Sequence, residues 1–328
     1  MANIDSKELS VKDFMQSLMS GVLSDDIIES YVLALNDKGI TADNIFDAAT
    51  VMRQFAKQVD ILDKTYLVDT CGTGGDGIQT FNVSTLSAIV AASAGVKVAK
   101  HGGRSVSSKC GSADVLEALG VNVNLAPEKV ASLVNDIGIA FMFAPNFHPA
   151  MRYAAPVRKK LGVRTIFNVL GPLANPASAT HQVLGVYEAH LTETMAEVLS
   201  QLGSEHVMVV HGEDGMDEIS ISSGTRISEL KNKSITTYTI KPTDFGLNMA
   251  DVKTIQVDNV DASKAMMLDV LKGSKGPHRD ITLLNAGAAI YVSGITTTLK
   301  DGTEKAASVI DQGLALKKLD ALKEASHG

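Results

Sequence analysis

Leu67-Val68-Asp69-Thr70-Cys71-Gly72-Thr73-Gly74-Gly75-Asp76-Gly77, followed shortly by Asn82-Val83-Ser84-Thr85, is the stretch on which the fold turns. Leu67 to Asp69 reads as a strand, and the four glycines among the six residues from Gly72 to Gly77 read as a turn. A helix then begins near Asn82. Glycines reach positive φ without penalty and let backbone N–H groups approach an anion, while a helix N-terminus adds its partial positive charge. A phosphate or diphosphate is therefore the expected guest. The turn lacks the Gly-Lys-Ser/Thr ending of nucleotide-binding loops, which sets kinases aside, and the offsets of Gly72, Gly74, Gly75 and Gly77 are read as differing from the dinucleotide pattern, which sets dehydrogenases aside.

Outward from this stretch, short apolar runs alternate with helical segments. Strands are expected at Val96 to Ala99, Val121 to Leu125, Ile139 to Phe143, Val183 to Tyr187 and His206 to Val210. Helices are expected at Thr85 to Ala94, Ala113 to Leu119, Pro127 to Asp136, Glu193 to Leu202, Asp280 to Tyr291 and Thr303 to Lys323. That alternation implies an α/β fold with a mainly parallel central sheet covered on both faces. Residues 1–65 read instead as a small N-terminal helical domain of three amphipathic helices, with Ser24 and Thr41 as N-caps and Gly39 as a stop. The interrupted helical stretch at about 146–161 is placed to leave the sheet and join them. Residues 66–328 form the larger α/β domain.

Composition sets the outer limits. At 328 residues the chain has length for about two domains. A net charge of −7, with no basic tail and no Trp, argues against a nucleic-acid surface. No apolar run approaches the ~18 residues of a membrane span, and Met1 to Asp13 has no apolar signal core. Cys71 and Cys110 have neither disulfide-framework nor metal spacing. The expectation is a soluble cytoplasmic protein with two packed thiols.

The second strand runs into Lys100-His101-Gly102-Gly103-Arg104-Ser105-Val106-Ser107-Ser108-Lys109. In an open parallel sheet ligands sit beyond the carboxyl ends of the strands, so this loop should lie beside the glycine turn. Lys100 and Arg104 offer charge, and Ser107, Ser108 and Ser112 offer hydroxyls, to a phosphate.

These loops, with Thr80-Phe81-Asn82-Val83-Ser84-Thr85, Ala144-Pro145-Asn146-Phe147-His148-Pro149, Pro156-Val157-Arg158-Lys159, the run from Arg164 to Pro176 and Gly215-Met216-Asp217-Glu218, give the chain its likeness. It resembles the anthranilate phosphoribosyltransferases, whose fold superfamily includes the pyrimidine nucleoside phosphorylases. The resemblance implies transfer of the phosphoribosyl group of phosphoribosyl pyrophosphate to anthranilate, with magnesium, two ions of it, and a homodimer formed through the helical domain. It assigns the diphosphate and ribose to Gly72, Gly74, Gly75, Asp76, Thr80, Asn82, Ser84, Thr85, Lys100 and Ser112. Anthranilate falls to Gly72, His101, Gly103, His148 and Arg158, and the metal to Ser84, Asp217 and Glu218. No general base is assigned.

Adjacent strand residues point apart, so Asp217 and Glu218 converge only if the backbone from His211 to Ile219 is irregular, as Gly212 and Gly215 permit. One position departs from the family: Gly103 stands where its motif carries Asn, an anthranilate contact, which predicts weaker acceptor binding or a different aromatic amine. The competing expectations are a pyrimidine nucleoside phosphorylase-like enzyme and, more remotely, a non-catalytic nucleic-acid-binding relative.

Overall fold

The computed structural model describes residues 9–104 and 110–328. Ser105, Ser107, Ser108 and Lys109, named above as loop residues, lie outside the described residues, as does the chain before Leu9.

Three helices come first: α1 (Val11–Met19), α2 (Asp25–Lys38) and α3 (Ala42–Gln54). Thr41 caps α3 reciprocally with Asn44, their side chains and backbone N–H groups pairing at 3.3 and 3.2 Å. Ser24 holds the cap position of α2 without a side-chain bond. Then follow β1 (Val68–Gly72), α4 (Val83–Ser93), β2 (Val98–Gly102), α5 (Ser112–Ala118), α6 (Pro127–Ile137) and β3 (Ile139–Phe143). The stretch after β3 forms α7 (Ala144–Phe147), α8 (Ala155–Leu161) and α9 (Phe167–Leu170). β4 (His181–Gly185), α10 (Leu191–Gln201), β5 (His206–Gly212), β6 (Thr225–Lys231) and β7 (Ser234–Ile240) complete the sheet, and α11 (Val260–Leu271), α12 (Pro277–Val292), α13 (Leu299–Asp311) and α14 (Leu314–His327) close the chain.

Among the described residues seven strands form one sheet in the order β3-β2-β1-β4-β5-β6-β7. The first five run parallel, and β6 and β7 are antiparallel additions. The order reverses at β1, with β2 on one side and β4 on the other, which opens a crevice beyond their carboxyl ends. Gly72 lies opposite Gly185 there. Both faces are covered: Val183, Met208 and Val210 join a core with α4, α6 and α12 to α14, whereas Leu184, Val186, Val207 and Val209 join one with α1 to α3 and α10. This second core also takes in Ala154, Val157 and Phe167, with α8 packed on α2 and α9 on α3.

Two readings are corrected and one element is new. Val121, Val123 and Leu125 are buried in alternation but form no strand, because the Asn122 N–H bonds the Ser326 hydroxyl of α14 at 3.0 Å instead of a neighbouring strand. The helix expected from Thr303 to Lys323 breaks into α13 and α14 at Gly313, whose φ is +68°. The β6–β7 hairpin, turned by Asn232 and Lys233 at φ +52° and +62°, carries no long apolar run and is absent from the sequence reading.

The hairpin is anchored by Glu229, which accepts hydrogen bonds from His206 (2.8 Å), Tyr238 (2.6 Å) and Tyr291 (2.8 Å). Burial by itself raises the Glu229 pKa, but these three bonds outweigh it and hold the carboxyl at about 2. A carboxyl whose folded pKa is depressed stabilises the fold above its unfolded value and loses that contribution as pH falls through the folded one. Glu229→Gln should therefore cost up to about 3 kcal/mol at pH 6, and the gap to the parent protein should close between pH 4.5 and 2. Urea denaturation across that range measures it.

Candidate active site

The turn after β1 needs glycine for two separate reasons. Gly74, Gly75 and Gly77 have φ of +65°, +78° and +76° with open space where a Cβ would stand, so the requirement is conformational. Gly72 and Gly185 are needed for room: a Cβ on Gly72 would lie 2.4 Å from Asp217 Oδ2, and one on Gly185 would lie 1.5 Å from the Asp217 carbonyl oxygen. Gly72, Gly74 and Gly77 do fall at the G-x-G-x-x-G spacing of dinucleotide loops, so spacing does not set that reading aside. The helix does, since α4 begins only at Val83, too late for Gly77 to pack inside it.

Asp217 thus lies across the ends of β1 and β4. Its Oδ2 accepts from the Gly74 N–H at 2.8 Å, and Glu218 Oε1 accepts from the Ser84 N–H in the first turn of α4 at 3.1 Å. The two acids span turn and helix because the backbone beyond β5 is irregular, with the Gly212 N–H on the Met216 carbonyl (2.8 Å) and Gly215 at φ +94°. The next residue, Ile219, is fixed by a side chain absent from the sequence reading. Asn285 of α12 accepts from the Ile219 N–H (2.9 Å) and donates to the Ile219 carbonyl (3.0 Å). Its sequence signal is a single amide inside the apolar run of α12.

Burial, then the charge of Asp76, pushes Asp217 up to about 7, and burial, then Asp217, holds Glu218 well above the usual carboxylate range. Lys100 offsets this crowding only in part, which leaves a fit for a divalent cation. Among the described residues no cluster of three or more His, Cys, Asp or Glu is arranged as a metal cage. Magnesium takes one or two carboxylates and fills its remaining positions with waters and substrate phosphates, so an adjacent acidic pair is chemically sufficient for it.

Lys100, buried, reaches the Thr70 carbonyl and, at 3.3 Å, the Ser84 hydroxyl. Asn82 is clamped between Cys110 and α11: its Nδ2 donates to the Cys110 carbonyl (3.1 Å) and its Oδ1 accepts from Ser263 (2.7 Å). Ser263 is likewise absent from the sequence reading. Thr80 bridges to Gln256, and Ser112 stands at the start of α5 against Gly102. The structure does not bring the Thr85 hydroxyl to this group; it is buried, unpaired, and Thr85 lines a cavity of about 10 Å³ with Lys100 and Phe141. Arg104 is also elsewhere, its guanidinium bound to Asp114 at 2.7 Å and to Glu117 at 2.7 and 2.9 Å, so the expected phosphate contact is corrected to an ion pair with α5.

Beside the crevice, His101 at the end of β2 and His148 after α7 face each other with ring centroids 5.0 Å apart. Burial pulls His101 down to about 3, helped by its neighbour His148, and pulls His148 down to about 4. Both rings are neutral near pH 7, and the Nε2 of each is buried without a partner. Arg158 on α8 is half-buried, 5.9 Å from the Phe167 ring centroid, and among the described residues it pairs with no acid. Burial lowers its pKa. A partly desolvated guanidinium without a counter-charge is costly, and a ligand carboxylate would relieve it. Among the described residues nothing lies within 4 Å of a Cβ placed on Gly103, and its carbonyl accepts from the Ala113 N–H at 3.1 Å. Burial raises both thiols, Cys110 to about 11, as expected of packed side chains.

A mainly parallel sheet carries the glycine turn and the acidic pair at its switch point, and residues 64–316 match the glycosyl transferase family, a/b domain, which places the chain among the transferases. The chain is 55% identical over 315 residues to the anthranilate phosphoribosyltransferase of Methylobacillus flagellatus and 52% identical to that of Nitrosomonas europaea, covering 96% of this chain and 92% of each relative. Among solved structures, anthranilate phosphoribosyltransferase from Thermus thermophilus superposes with a TM-score of 0.92 at 40% identity, covering 99% of this chain and 96% of that one. The Saccharomyces cerevisiae enzyme, solved in complex with PRPP and Mg, gives 0.88 at 29% identity, covering 98% and 94%. The chain belongs to the anthranilate phosphoribosyltransferase family.

The close approach at Gly185 is directly testable. Gly185→Ala should displace the Asp217 backbone and cost about 1–3 kcal/mol in urea denaturation, whereas Gly103→Ala, with open space, should stay within about 0.5 kcal/mol.

Proposed function

We propose that this enzyme transfers the phosphoribosyl group of phosphoribosyl pyrophosphate to the amine of anthranilate and releases diphosphate, a step of tryptophan biosynthesis. The observation that carries the reading is Asp217 and Glu218, lying across the strand ends and bonded to the two elements that offer N–H donors to an anion. A relative from yeast has been solved with PRPP and Mg, and again with 4-fluoroanthranilate.

In this reading the glycine turn, Asp76, Thr80, Asn82 and Ser84, with Lys100 and Ser112, hold the diphosphate and ribose. The Thr85 contribution is through its backbone, since its hydroxyl is enclosed. Magnesium, two ions of it, held by Asp217, Glu218 and Ser84, supplies charge neutralisation of the diphosphate when bound. The bond from the anomeric carbon to the diphosphate oxygen breaks with its electron pair leaving on oxygen, and backbone donors of the turn stabilise that departing charge. Arg158 takes the anthranilate carboxylate, and Gly72, Gly103, His101 and His148 line the acceptor side. The arylamine nitrogen forms the new bond from its lone pair and then releases a proton to water. An arylamine is uncharged at neutral pH, and imidazoles held at about 3 and 4 are weak bases, so neither histidine is assigned as a general base. The helical module of α1 to α3 with α7 to α9 is proposed as a distinct domain and as the homodimer interface, and the compartment as the cytoplasm. Among the described residues no helix is long and apolar enough to cross a membrane.

Loss of anthranilate fluorescence on mixing with phosphoribosyl pyrophosphate tests the reading. Turnover should vanish in excess chelator, and Asp217→Asn should lower the rate and raise the magnesium needed for half-maximal activity, because a site with so few protein ligands loses one charge. Phosphorolysis of a nucleoside without magnesium would instead point to the phosphorylase branch.

Two substitutions should move the anthranilate constant in opposite directions. Arg158→Ala removes a charge-assisted pair and should weaken it by about 10- to 200-fold, leaving that for phosphoribosyl pyrophosphate nearly unchanged. Gly103→Asn enters open space without backbone strain and should tighten it by roughly 2- to 10-fold. Steady-state kinetics with both substrates varied reads both.

A further inference from the structure

Arg164 lies six residues beyond Arg158, past Gly162, which ends α8 at φ +61°. Its side chain makes three contacts at once. Nη2 donates to the Gly75 carbonyl at 2.7 Å, Nη1 pairs with Glu188 Oε1 at 2.6 Å, and the guanidinium lies 4.0 Å from the Tyr187 ring centroid. Its own carbonyl accepts from Asn36 Nδ2 of α2 at 2.8 Å. Tyr187 in turn touches the glycine turn, its N–H donating to the Thr73 hydroxyl at 3.2 Å. One residue therefore ties together the helical core, the segment beyond β4 and the tip of the turn.

The tip has few other holds. Among the described residues the backbone from Gly74 to Gly77 makes two long-range hydrogen bonds, one to Asp217 and one from Arg164. The C=O and N–H of a trans peptide point in opposite directions, so fixing the Gly75 carbonyl also fixes the direction of the Asp76 N–H. Lysine could replace the charge but not the planar fork or the stack on Tyr187.

We propose that Arg164 is a positioning residue that couples the two substrate sites, so that filling the diphosphate turn tightens acceptor binding on the Arg158 side. The inference rests on the donor and acceptor assignments made under the proposed function. A diphosphate that orders the turn also orders Arg164 and the chain leading back to Arg158, so the second ligand meets a segment already fixed. The same coupling acts in both directions.

The test is calorimetric titration of anthranilate with and without saturating magnesium diphosphate, which fills the turn and permits no turnover. The parent protein should bind anthranilate at least 3-fold tighter with diphosphate present. In Arg164→Ala and in Arg164→Lys that ratio should fall to one, while anthranilate binding without diphosphate stays within 2-fold of the parent. The contacts of Arg164 are solvent-exposed, so both variants should fold, as a thermal melt would verify. A ratio of one in the parent, or a ratio preserved in both variants, overturns the coupling and leaves the donor and acceptor assignments standing. Failure of the parent to bind magnesium diphosphate at all overturns those assignments and the coupling with them.

Discussion

Everything at the crevice depends on how closely Asp217 lies against the ends of β1 and β4. Its carbonyl occupies the space a side chain at position 185 would need, and its carboxyl occupies the space of one at position 72. Two neighbouring strands must therefore end in glycine at the same register level, which the β1–β4 pairing provides by placing Gly72 opposite Gly185. That contact sets the surrounding geometry: the Gly74 N–H meets the acid, Glu218 is thrown towards Ser84, and Asn285 closes the segment by holding both polar groups of Ile219.

Charge balance explains the next layer down. Asp69 and Lys100 are both almost fully buried, the first pushed up and the second pushed down by loss of water, and each is partly restored by the other. Asp69 also accepts from the His101 N–H at 3.1 Å and from Asn175 at 2.7 Å. A buried pair of this kind adds little net stability, yet breaking it would strand a charge. Through the His101 N–H and Asn175, Asp69 fixes β2 relative to the segment after α9, so Lys100 and His101, assigned to the two sides of the proposed site, share one foundation. Asn175 extends this by donating to the Ala99 carbonyl at 2.9 Å.

Much of this was legible in the order of residues, for identifiable physical reasons. β3 is a run of consecutive apolar residues buried on both faces, and its limits match the sequence reading because nothing polar interrupts it. The glycine turn was legible because positive φ restricts the choice of residue. By contrast, Val121 to Leu125 alternates as a strand should, but a hydroxyl from α14 satisfies its backbone, and no local pattern reports a partner 204 residues away. Arg104 carries the right chemistry for phosphate, yet two acids on the next helix take it up, a competition that only three-dimensional proximity decides. Asn285 and Ser263 act through other residues' backbones or side chains, so no motif marks them, and Arg164 opens the Arg164 to Pro176 motif, whose pattern does not report its bond to the Gly75 carbonyl.

The two halves of the site are satisfied to different degrees, and the difference bears on what binds. On the donor side of the proposed site the Gly74 and Ser84 N–H groups already have carboxylate acceptors, so an anion bound there would compete with Asp217 and Glu218, and would compete best with a cation on both acids. On the acceptor side of the proposed site, among the described residues, two buried imidazole nitrogens have no partner, at about 1–3 kcal/mol each, and the half-buried Arg158 guanidinium pairs with no acid. Neutral imidazole nitrogens without a proton accept hydrogen bonds, and a guanidinium only donates them. A ligand that met these groups would carry an N–H donor for the imidazoles and an acceptor, best a carboxylate, for the guanidinium. Its amine must also be unprotonated to act as the nucleophile, which favours an aromatic amine over an aliphatic amino acid and agrees with anthranilate as the acceptor.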